Sequence, residues 1–160
     1  MQNQTQKSEI IPLLCQEEGT ILTPYCDSLG YPTIGTGFKI GPQNADLDDY
    51  TFSLTKPTND VWLQSLVDQT QADMWANADI SEAMLHCSEP RRDILTSMAY
   101  QMGVTGLAGF HNMLKAIDAE DWEGAAEQML DSTWAEQTPA RAQRHAYVMQ
   151  SGEWQPTYDF

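Results

Sequence analysis

The stretch EGTILTPYCDSLGYPTIGTG, residues 18–37, marks a change of local pattern along this 160-residue chain. Apolar residues recur at helical spacing over residues 9–18, and Gly19 follows Glu18 where a helix end needs a left-handed C′ residue, so a short helix is predicted to end at Glu18. Residues 20–60 lack helical periodicity and are rich in glycine, proline, threonine, aspartate and asparagine. That composition predicts short strands and turns.

The second half of the quoted stretch is predicted to hold a turn and then a strand. Residues 27–30, Asp-Ser-Leu-Gly, suit a type I turn because Asp is favoured at its first position and Gly at its fourth. Residues 31–38 alternate, so that Thr33 lies on a small polar face while Ile34 and Phe38 share the opposite, apolar face. A ligand could approach the backbone of the first face, and the second is expected to pack in a core.

From about Val61 onward the pattern is helical, and positions 58–60 offer candidate N-cap residues. A long helix is predicted over about residues 61–85. The pair Thr138-Pro139, an N-cap followed by proline at the first helical position, predicts where the last helix begins. This last helix is predicted over about 139–150. Three further helices are predicted at about 90–102, 112–119 and 122–130.

These patterns predict an α+β fold that is mostly α, in one domain of residues 1–160. A small β-containing lobe is expected over about 19–60. A larger helical lobe is expected from 9–18 together with about 86–160, joined to the first by the long helix, with a cleft between the lobes. Hydrophobic residues make up 41% of the chain, which is enough to bury a core without disulfides or metals.

The charge balance excludes some partners. Aspartate and glutamate total 23 against 8 lysines and arginines, for a formal net charge of -15, which disfavours binding to nucleic acid and to anionic membranes. Phosphate-rich wall polymers would be repelled as well. A salty medium would remove most of that repulsion, because the Debye length falls to roughly 3 Å at 1 M salt.

Targeting and metal signals are weak in this sequence. No apolar run approaches the roughly 20 residues that cross a bilayer, and residues 1–8 are polar without the apolar region of a Sec signal, so synthesis in the cytoplasm without membrane insertion is expected. Three cysteines, an odd count without regular spacing, argue against a disulfide framework. The three histidines lack paired ligand spacing, so no metal site is expected.

Three residues of the quoted stretch carry chemistry. Glu18 ends an apolar helical stripe, where partial desolvation and the negative end of the helix dipole both favour its protonated, proton-donating form. Asp27 lies at a turn near backbone donors and is expected to stay ionised. A protonated acid paired with an ionised carboxylate is the arrangement that glycoside hydrolysis needs, and the Thr33 hydroxyl could hold the attacking water.

The chain resembles the phage-type lysozymes of glycoside hydrolase family 24. The resemblance rests first on Glu18, Asp27 nine residues later and Thr33 six beyond that, which match the family in type and spacing. Two further blocks match, QMGVTGLAGF at residues 101–110 and WAEQTPARA at residues 134–142. Together the blocks cover the chain from about residue 9 to 154, with a divergent middle at 39–88.

The resemblance implies a lysozyme-like fold and cleavage of the β-1,4 bond between N-acetylmuramic acid and N-acetylglucosamine in bacterial peptidoglycan. It implies that Glu18 is the general acid, that Asp27 supports the attacking water, that Thr33 helps to place this water, and that the reaction inverts the anomeric carbon. It also implies four substrate-binding residues, which are Tyr100, Gln101, Gln128 and Arg141. No cofactor is implied, a monomer is expected, and the enzyme would act on the wall after release from the host cytoplasm.

Two departures from the family stand out. The family often carries a histidine at the position of Phe38, paired with an acid on the long helix, so that ion pair is expected to be absent here. Phage members are often basic, whereas this chain carries a net charge of -15. Neither departure touches the three catalytic candidates.

Other interpretations remain open at this level. A lone glutamate at a helix end is usually a solvated surface group, a lone aspartate at a turn is often only a turn residue, and Arg141 could serve a structural ion pair with Glu17 or Glu18. The chain could be a glycan-binding or phage-structural relative with weak turnover. It could also cleave a chitin-type polymer instead of peptidoglycan.

Overall fold

A computed structural model describes residues 6–160 of the chain. The residues described form eight α-helices and one three-stranded antiparallel sheet in the order β1-β2-β3, which confirms the predicted α+β, mostly α fold class. The helices are α1 (Ile10–Glu18), α2 (Lys56–Ala76), α3 (Ala78–His86), α4 (Glu89–Ala108), α5 (His111–Asp118), α6 (Trp122–Leu130), α7 (Thr133–Gln137) and α8 (Pro139–Ser151). The strands are β1 (Ile21–Cys26), β2 (Pro32–Gly35) and β3 (Phe38–Lys39), and a 3₁₀ turn covers Leu47–Asp49.

The chain divides into two compact units, each with its own interior. Among the described residues, the sheet unit comprises Leu14–Leu66, and the helical unit comprises residues 6–13 together with Val67–Phe160. None of the described helices combines the length and apolar character that crossing a membrane requires. By the bounds of the two units, the catalytic candidates Glu18, Asp27 and Thr33 lie in the sheet unit. The four substrate-binding candidates lie in the helical unit.

In the sheet unit the predicted turn at residues 27–30 is present. The Gly30 N–H donates to the Asp27 carbonyl at 3.1 Å and closes it. The segment 31–38 is not one strand, because the chain reverses after β2 so that Ile34 and Phe38 stand directly opposite each other. Opposed residues of a hairpin share a face, so both side chains still reach the core, at 0% and 2% exposure.

The helix after the sheet begins at Lys56, earlier than the predicted start near Val61. Thr55 precedes it, and its hydroxyl accepts the N–H of Thr58 at 3.3 Å, so Thr55 provides the cap. Asn59, a candidate cap from the sequence, lies inside the helix, fully buried, and its amide donates to the Thr36 hydroxyl at 3.1 Å. This tertiary bond between the helix and the hairpin turn is invisible to local pattern.

The helical segment expected to run unbroken over 61–85 is interrupted at Asn77. The side chain of Asn77 accepts the N–H of Ile80 at 3.1 Å and so starts α3 as a separate helix. Helix α4 extends beyond its predicted end, with a kink at Gly103, whose φ is +82°. The five-residue helix α7 was not predicted, since it spans little more than one turn.

The buried carboxyl of Asp93 joins α4 to the beginning of α1. It is 1% exposed, and its oxygens accept the Ser8 hydroxyl at 2.6 Å and the Glu9 N–H at 2.7 Å. Burial raises the pKa of Asp93 to about 6, and the two hydrogen bonds, which lower it, offset burial only in part. Asp93 therefore caps the first helix from a distant element, at an electrostatic cost when it ionises.

That cost makes a prediction about stability and pH. Because the pKa of Asp93 in the folded protein, about 6, lies above its ordinary 3.8, its contribution to stability is fully present below about pH 4 and is lost as pH rises through 6. A difference of about two pKa units corresponds to roughly 3 kcal/mol. The Asp93→Asn variant has no carboxyl at this position, so the pH-dependent contribution of Asp93 should disappear. Its free energy of unfolding, measured by urea titration between pH 4 and 8, should therefore fall less steeply with pH than that of the parent.

Asp118→Asn, which neutralises an exposed carboxyl, is the control for the change in net charge. Its stability profile should run parallel to that of the parent. Identical slopes for the Asp93 variant and the parent would show that Asp93 does not titrate in this range.

Candidate active site

The first catalytic candidate, Glu18, stands where the sequence predicts a helix end. Helix α1 ends at Glu18, and Gly19 follows with φ +70° and donates its N–H to the Cys15 carbonyl at 3.1 Å. A left-handed residue turns the chain sharply out of the helix and into β1. The Glu18 side chain is half-buried.

The carboxyl of Glu18 lies directly against the backbone of Gly37. A Cβ at Gly37 would stand 2.7 Å from Glu18 Oε2 and 3.1 Å from its Cδ, and Gly37 also has φ +73°. The backbone angle therefore favours glycine at this position, and a side chain here would displace the Glu18 carboxyl. The glycine-rich turn between β2 and β3 thus forms one wall against the acid.

Asp27 is oriented by its own turn. One oxygen of the carboxylate, Oδ1, accepts the N–H of Leu29 at 2.9 Å and the N–H of Tyr31 at 2.8 Å, while the Asp27 N–H donates to the Tyr31 carbonyl at 3.0 Å. Aspartate at the start of a turn commonly bonds the backbone in this way. The described hydrogen bonds to the carboxylate both reach Oδ1, which leaves Oδ2 to meet solvent or substrate.

Thr33 is tied to the same backbone. Its hydroxyl donates to the Tyr31 carbonyl at 2.9 Å, so the peptide groups of Tyr31 bind Asp27 on one side and Thr33 on the other. With its hydrogen used in this way, the Thr33 oxygen presents lone pairs and can accept a hydrogen from a water molecule. The residue is only 2% exposed, so its position is tightly held.

Tyr25 was not among the candidates from the sequence, yet it connects all three of them. It stands directly opposite Thr33 in the β1–β2 register. The pKa of its phenol is raised, first by partial burial, then by the negative charges of Glu18 and of Asp27. Tyr25 precedes Asp27 by only two residues, so its nearness in the chain was visible in the sequence. That spacing does not indicate a role, because Tyr25 meets Thr33 only when β1 pairs with β2.

The four substrate-binding candidates lie in the helical unit. The Gln101 side chain accepts the indole N–H of Trp134 at 2.8 Å. Gln128 and Trp134 both line a groove of about 500 Å³ whose other lining residues are Gly106, Gly109, Phe110, His111, Asn112, Met113, Asp131, Ser132 and Thr133. Tyr100 and Gln101 are half-buried neighbours on α4, and Arg141 is 7% exposed near the start of α8.

The structure thus places Glu18, Asp27 and Thr33 in one unit, where Tyr25 stands opposite Thr33. In the other unit Trp134 bonds to Gln101 and lines the same groove as Gln128. Within residues 6–160, no cluster of three or more histidine, cysteine or acidic side chains is arranged to hold a metal ion. The candidate residues of the sheet unit, together with Tyr25, offer two carboxyl groups, one hydroxyl and one phenol.

Comparison with known proteins decides the family. The family model described as phage lysozyme matches residues 15–146, which include all seven candidate residues. The chain belongs to the phage lysozyme family. This membership confirms the resemblance seen in the sequence.

Individual relatives fall into two kinds. The chain is 27% identical to probable T4-type lysozyme 1 of Dictyostelium discoideum over 162 residues, which is 91% of this chain and 95% of that protein. A second protein of that organism, probable T4-type lysozyme 2, is 37% identical over 62 residues, 39% of this chain and 36% of the relative. The chain is also 30% identical over 156 residues to the pre-baseplate central spike protein Gp5 of Enterobacteria phage T4, matching 88% of this chain but spanning only 27% of Gp5.

Family membership and the lysozyme relatives confirm the interpretation of the chain as a lysozyme-type glycoside hydrolase. The roles of individual residues are not decided by these matches. They stay predictions.

The position of Tyr25 makes a spectroscopic prediction. Since the charges of Glu18 and Asp27 both disfavour the ionised phenol, Glu18→Gln and Asp27→Asn should each lower the pKa of Tyr25 toward the ordinary 10.0, with the larger fall in Glu18→Gln. A pH titration of the ring carbon that bears the hydroxyl, followed by NMR, measures this pKa directly.

Asp48→Asn, an exposed acid on the 3₁₀ turn of the same unit, serves as the matched control and should leave the Tyr25 titration unchanged. An equal effect from all three variants would mean that Tyr25 senses net charge alone. In that case the two carboxylates do not flank it.

Proposed function

We propose that the chain hydrolyses the β-1,4 bond between N-acetylmuramic acid and N-acetylglucosamine in bacterial peptidoglycan, with inversion at the anomeric carbon. The observation that carries the proposal is that two carboxyl groups of the sheet unit have different surroundings, since Glu18 lies against the backbone of Gly37 and Asp27 is held by the backbone N–H groups of its own turn. Two carboxyl groups in different surroundings are what glycoside hydrolysis uses.

In the proposed mechanism Glu18 is the general acid. It lies at the carboxyl end of α1 and donates its proton to the departing glycosidic oxygen as the bond to the anomeric carbon breaks. Water attacks that carbon from the opposite face, and its proton passes to Asp27. The sugar leaves with a new hydroxyl, and proton exchange with solvent restores both carboxyl groups.

Thr33 and Asp27 together would orient the attacking water. The Thr33 oxygen accepts one hydrogen of the water, because its own hydrogen is donated to the Tyr31 carbonyl. Asp27 accepts the other hydrogen through Oδ2, since the described bonds from Leu29 and Tyr31 occupy Oδ1. A water held by two acceptors directs a lone pair toward the anomeric carbon.

Substrate binding is assigned to the helical unit. Tyr100, Gln101, Gln128 and Arg141 are proposed to contact the glycan, with the groove beside Gln128 and Trp134 as a place where a sugar or its substituent can lie. The groove combines aromatic surface with amide and hydroxyl groups, which suits a neutral, hydroxyl-rich ligand. No cofactor takes part in the proposed reaction.

We further propose that the enzyme is a monomer that is made in the host cytoplasm and acts on the wall after release, in host cell lysis. The match to Gp5 favours a second candidate, in which the same hydrolase forms part of a phage particle. Detection of the chain in purified particles would favour this second role, and its presence only in lysing cells would favour the first.

Substitution of the three catalytic residues tests the reaction. Glu18→Gln and Asp27→Asn should each reduce the clearing of purified peptidoglycan by about 10²- to 10⁴-fold, the range that general acid and base groups contribute. Thr33→Ala should lower kcat much more than it raises KM, because it misplaces water without removing a substrate contact. Glu127→Gln and Asp48→Asn, which change exposed acids, should retain parental activity.

Full activity in Glu18→Gln would contradict the assigned acid. The anomeric form of the first product, read by NMR before it equilibrates, separates inversion from retention. Release of reducing ends from chitin at the rate seen with peptidoglycan would contradict the substrate assignment.

The negative charge makes a prediction about salt. With a net charge of -15, approach to a phosphate-rich wall should be slow at low ionic strength, and clearing should rise as the Debye length shrinks from about 10 Å at 0.1 M to about 3 Å at 1 M. Uncharged soluble glycan fragments provide the matched control, and their cleavage should depend little on salt. A flat response on intact walls would remove electrostatic repulsion as a factor.

A further inference from the structure

A chain of buried polar groups surrounds Arg141 in the helical unit. Arg141 Nη2 lies 2.9 Å from the Ser97 hydroxyl and 3.4 Å from the Ser97 carbonyl. The same hydroxyl lies 2.7 Å from His145 Nε2, and His145 Nδ1 lies 3.0 Å from the Tyr158 hydroxyl. Ser97 and His145 are both 0% exposed. We call the series Arg141, Ser97, His145 and Tyr158 the buried relay.

The direction of the bonds in the buried relay follows from donor and acceptor chemistry. A guanidinium group can only donate, so Ser97 Oγ accepts from Arg141. The hydrogen of the Ser97 hydroxyl then has His145 Nε2 as its acceptor, because the described bonds to this hydroxyl come from those two partners. His145 Nε2 must therefore lack a hydrogen, and Nδ1 carries it toward the Tyr158 oxygen.

The far end of the buried relay is held by aromatic packing. The Tyr158 ring contacts Trp154 edge-on, with centroids 5.9 Å apart, and stacks on Phe160 at 5.6 Å. Trp154 and Phe160 also pack against each other at 4.8 Å. These three rings fix the Tyr158 hydroxyl as a partner for His145.

His145 also contacts the second group of binding candidates. Its ring lies 5.9 Å from that of Trp134, whose indole N–H donates to the Gln101 side chain at 2.8 Å. The buried imidazole of His145 therefore contacts Ser97, which bonds to Arg141, and also Trp134, which bonds to Gln101.

We propose that His145, as the neutral Nδ1–H tautomer held by Tyr158, is a positioning residue that orients the Arg141 guanidinium through Ser97. The planar ring provides an acceptor and a donor at a fixed separation, so the Ser97 hydroxyl is kept in the one rotation that accepts from Arg141. A long arginine side chain loses much conformational freedom when it binds a ligand, and prior orientation reduces that loss. The inference rests on the proposed role of Arg141 in glycan binding.

Two substitutions of His145 give a matched test. The amide of His145→Gln sits where Nε2 was and can still accept from Ser97, whereas the shorter amide of His145→Asn sits where Nδ1 was and reaches Tyr158 alone. His145→Asn should raise KM for soluble peptidoglycan fragments about tenfold with a smaller change in kcat, while His145→Gln stays within about threefold of the parent. Both are assayed at a temperature where circular dichroism shows them folded.

A double-mutant cycle separates positioning from general support of the fold. If His145 acts through Arg141, His145→Asn should add nothing to the KM of Arg141→Gln. Tyr158→Phe, which deletes one hydroxyl, should raise KM less than His145→Asn and should likewise have no effect in the Arg141→Gln background. Additive effects in that background, or equal KM values for His145→Gln and His145→Asn, would overturn the proposal.

A measurement without turnover distinguishes failure of the relay from failure of the proposed function. Nitrogen-15 NMR of the parent should show His145 with a hydrogen on Nδ1 and none on Nε2. Rotation about the Cζ–Nη bonds of Arg141 should be slow, with separate Nη–H signals, in the parent and in His145→Gln. In His145→Asn this rotation should be fast. If these signals appear and peptidoglycan is not cleaved, the function is wrong and the relay stands; a hydrogen on Nε2 overturns the relay whatever the activity.

Discussion

The close approach of the Glu18 carboxyl to the backbone of Gly37 is the contact on which the sheet unit depends. A side chain at position 37 would stand where the carboxyl now lies, and the positive φ of Gly37 lets the chain reverse between β2 and β3. The same reversal puts Phe38 opposite Ile34, where Phe38 stacks on Trp62 with ring centroids 4.4 Å apart. Core packing and placement of the acid therefore follow from one turn.

Asp27 and Thr33 are held in place by hydrogen bonds to the backbone of Tyr31. They are six residues apart, yet the peptide groups of Tyr31 bond to both, so that the turn and the strand are joined through one residue. Rigid support of this kind matters for a reaction that depends on the position of one water molecule. Tyr25, opposite Thr33, adds a phenol whose pKa is raised first by partial burial and then by the charges of Glu18 and Asp27.

In the interior of the helical unit, buried polar side chains form hydrogen bonds with groups from other helices and segments. Asp93 is buried at an electrostatic cost and accepts two hydrogen bonds at the beginning of α1. The buried relay satisfies Ser97 and His145 and constrains Arg141 at the same time. Both arrangements link elements that are more than 40 residues apart in the chain, and buried polar groups of this kind favour one specific packing.

Local pattern in the sequence was sufficient for much of the fold and for the catalytic candidates. Helical periodicity, Gly19 and the Asp-Ser-Leu-Gly turn are short-range features, because a helix end or a turn is decided by the conformational limits of a few adjacent residues. Three blocks at family spacing added the type of chemistry. The start of α2 was predicted too late and the break at Asn77 was not predicted, because each depends on one side-chain hydrogen bond that helical periodicity does not reveal.

Only the tertiary structure showed Tyr25 opposite Thr33, Asn59 bonded to Thr36, Asp93 at the start of α1 and His145 between Ser97 and Tyr158. Each of these contacts joins residues from different elements, so its existence depends on strand register and helix packing and not on neighbours in the chain. The sequence by itself determined which residue types were available and where the chain could turn. Packing decided which of those residues meet, because hydrogen bonds and charges act over a few ångströms of space, whatever their separation along the chain.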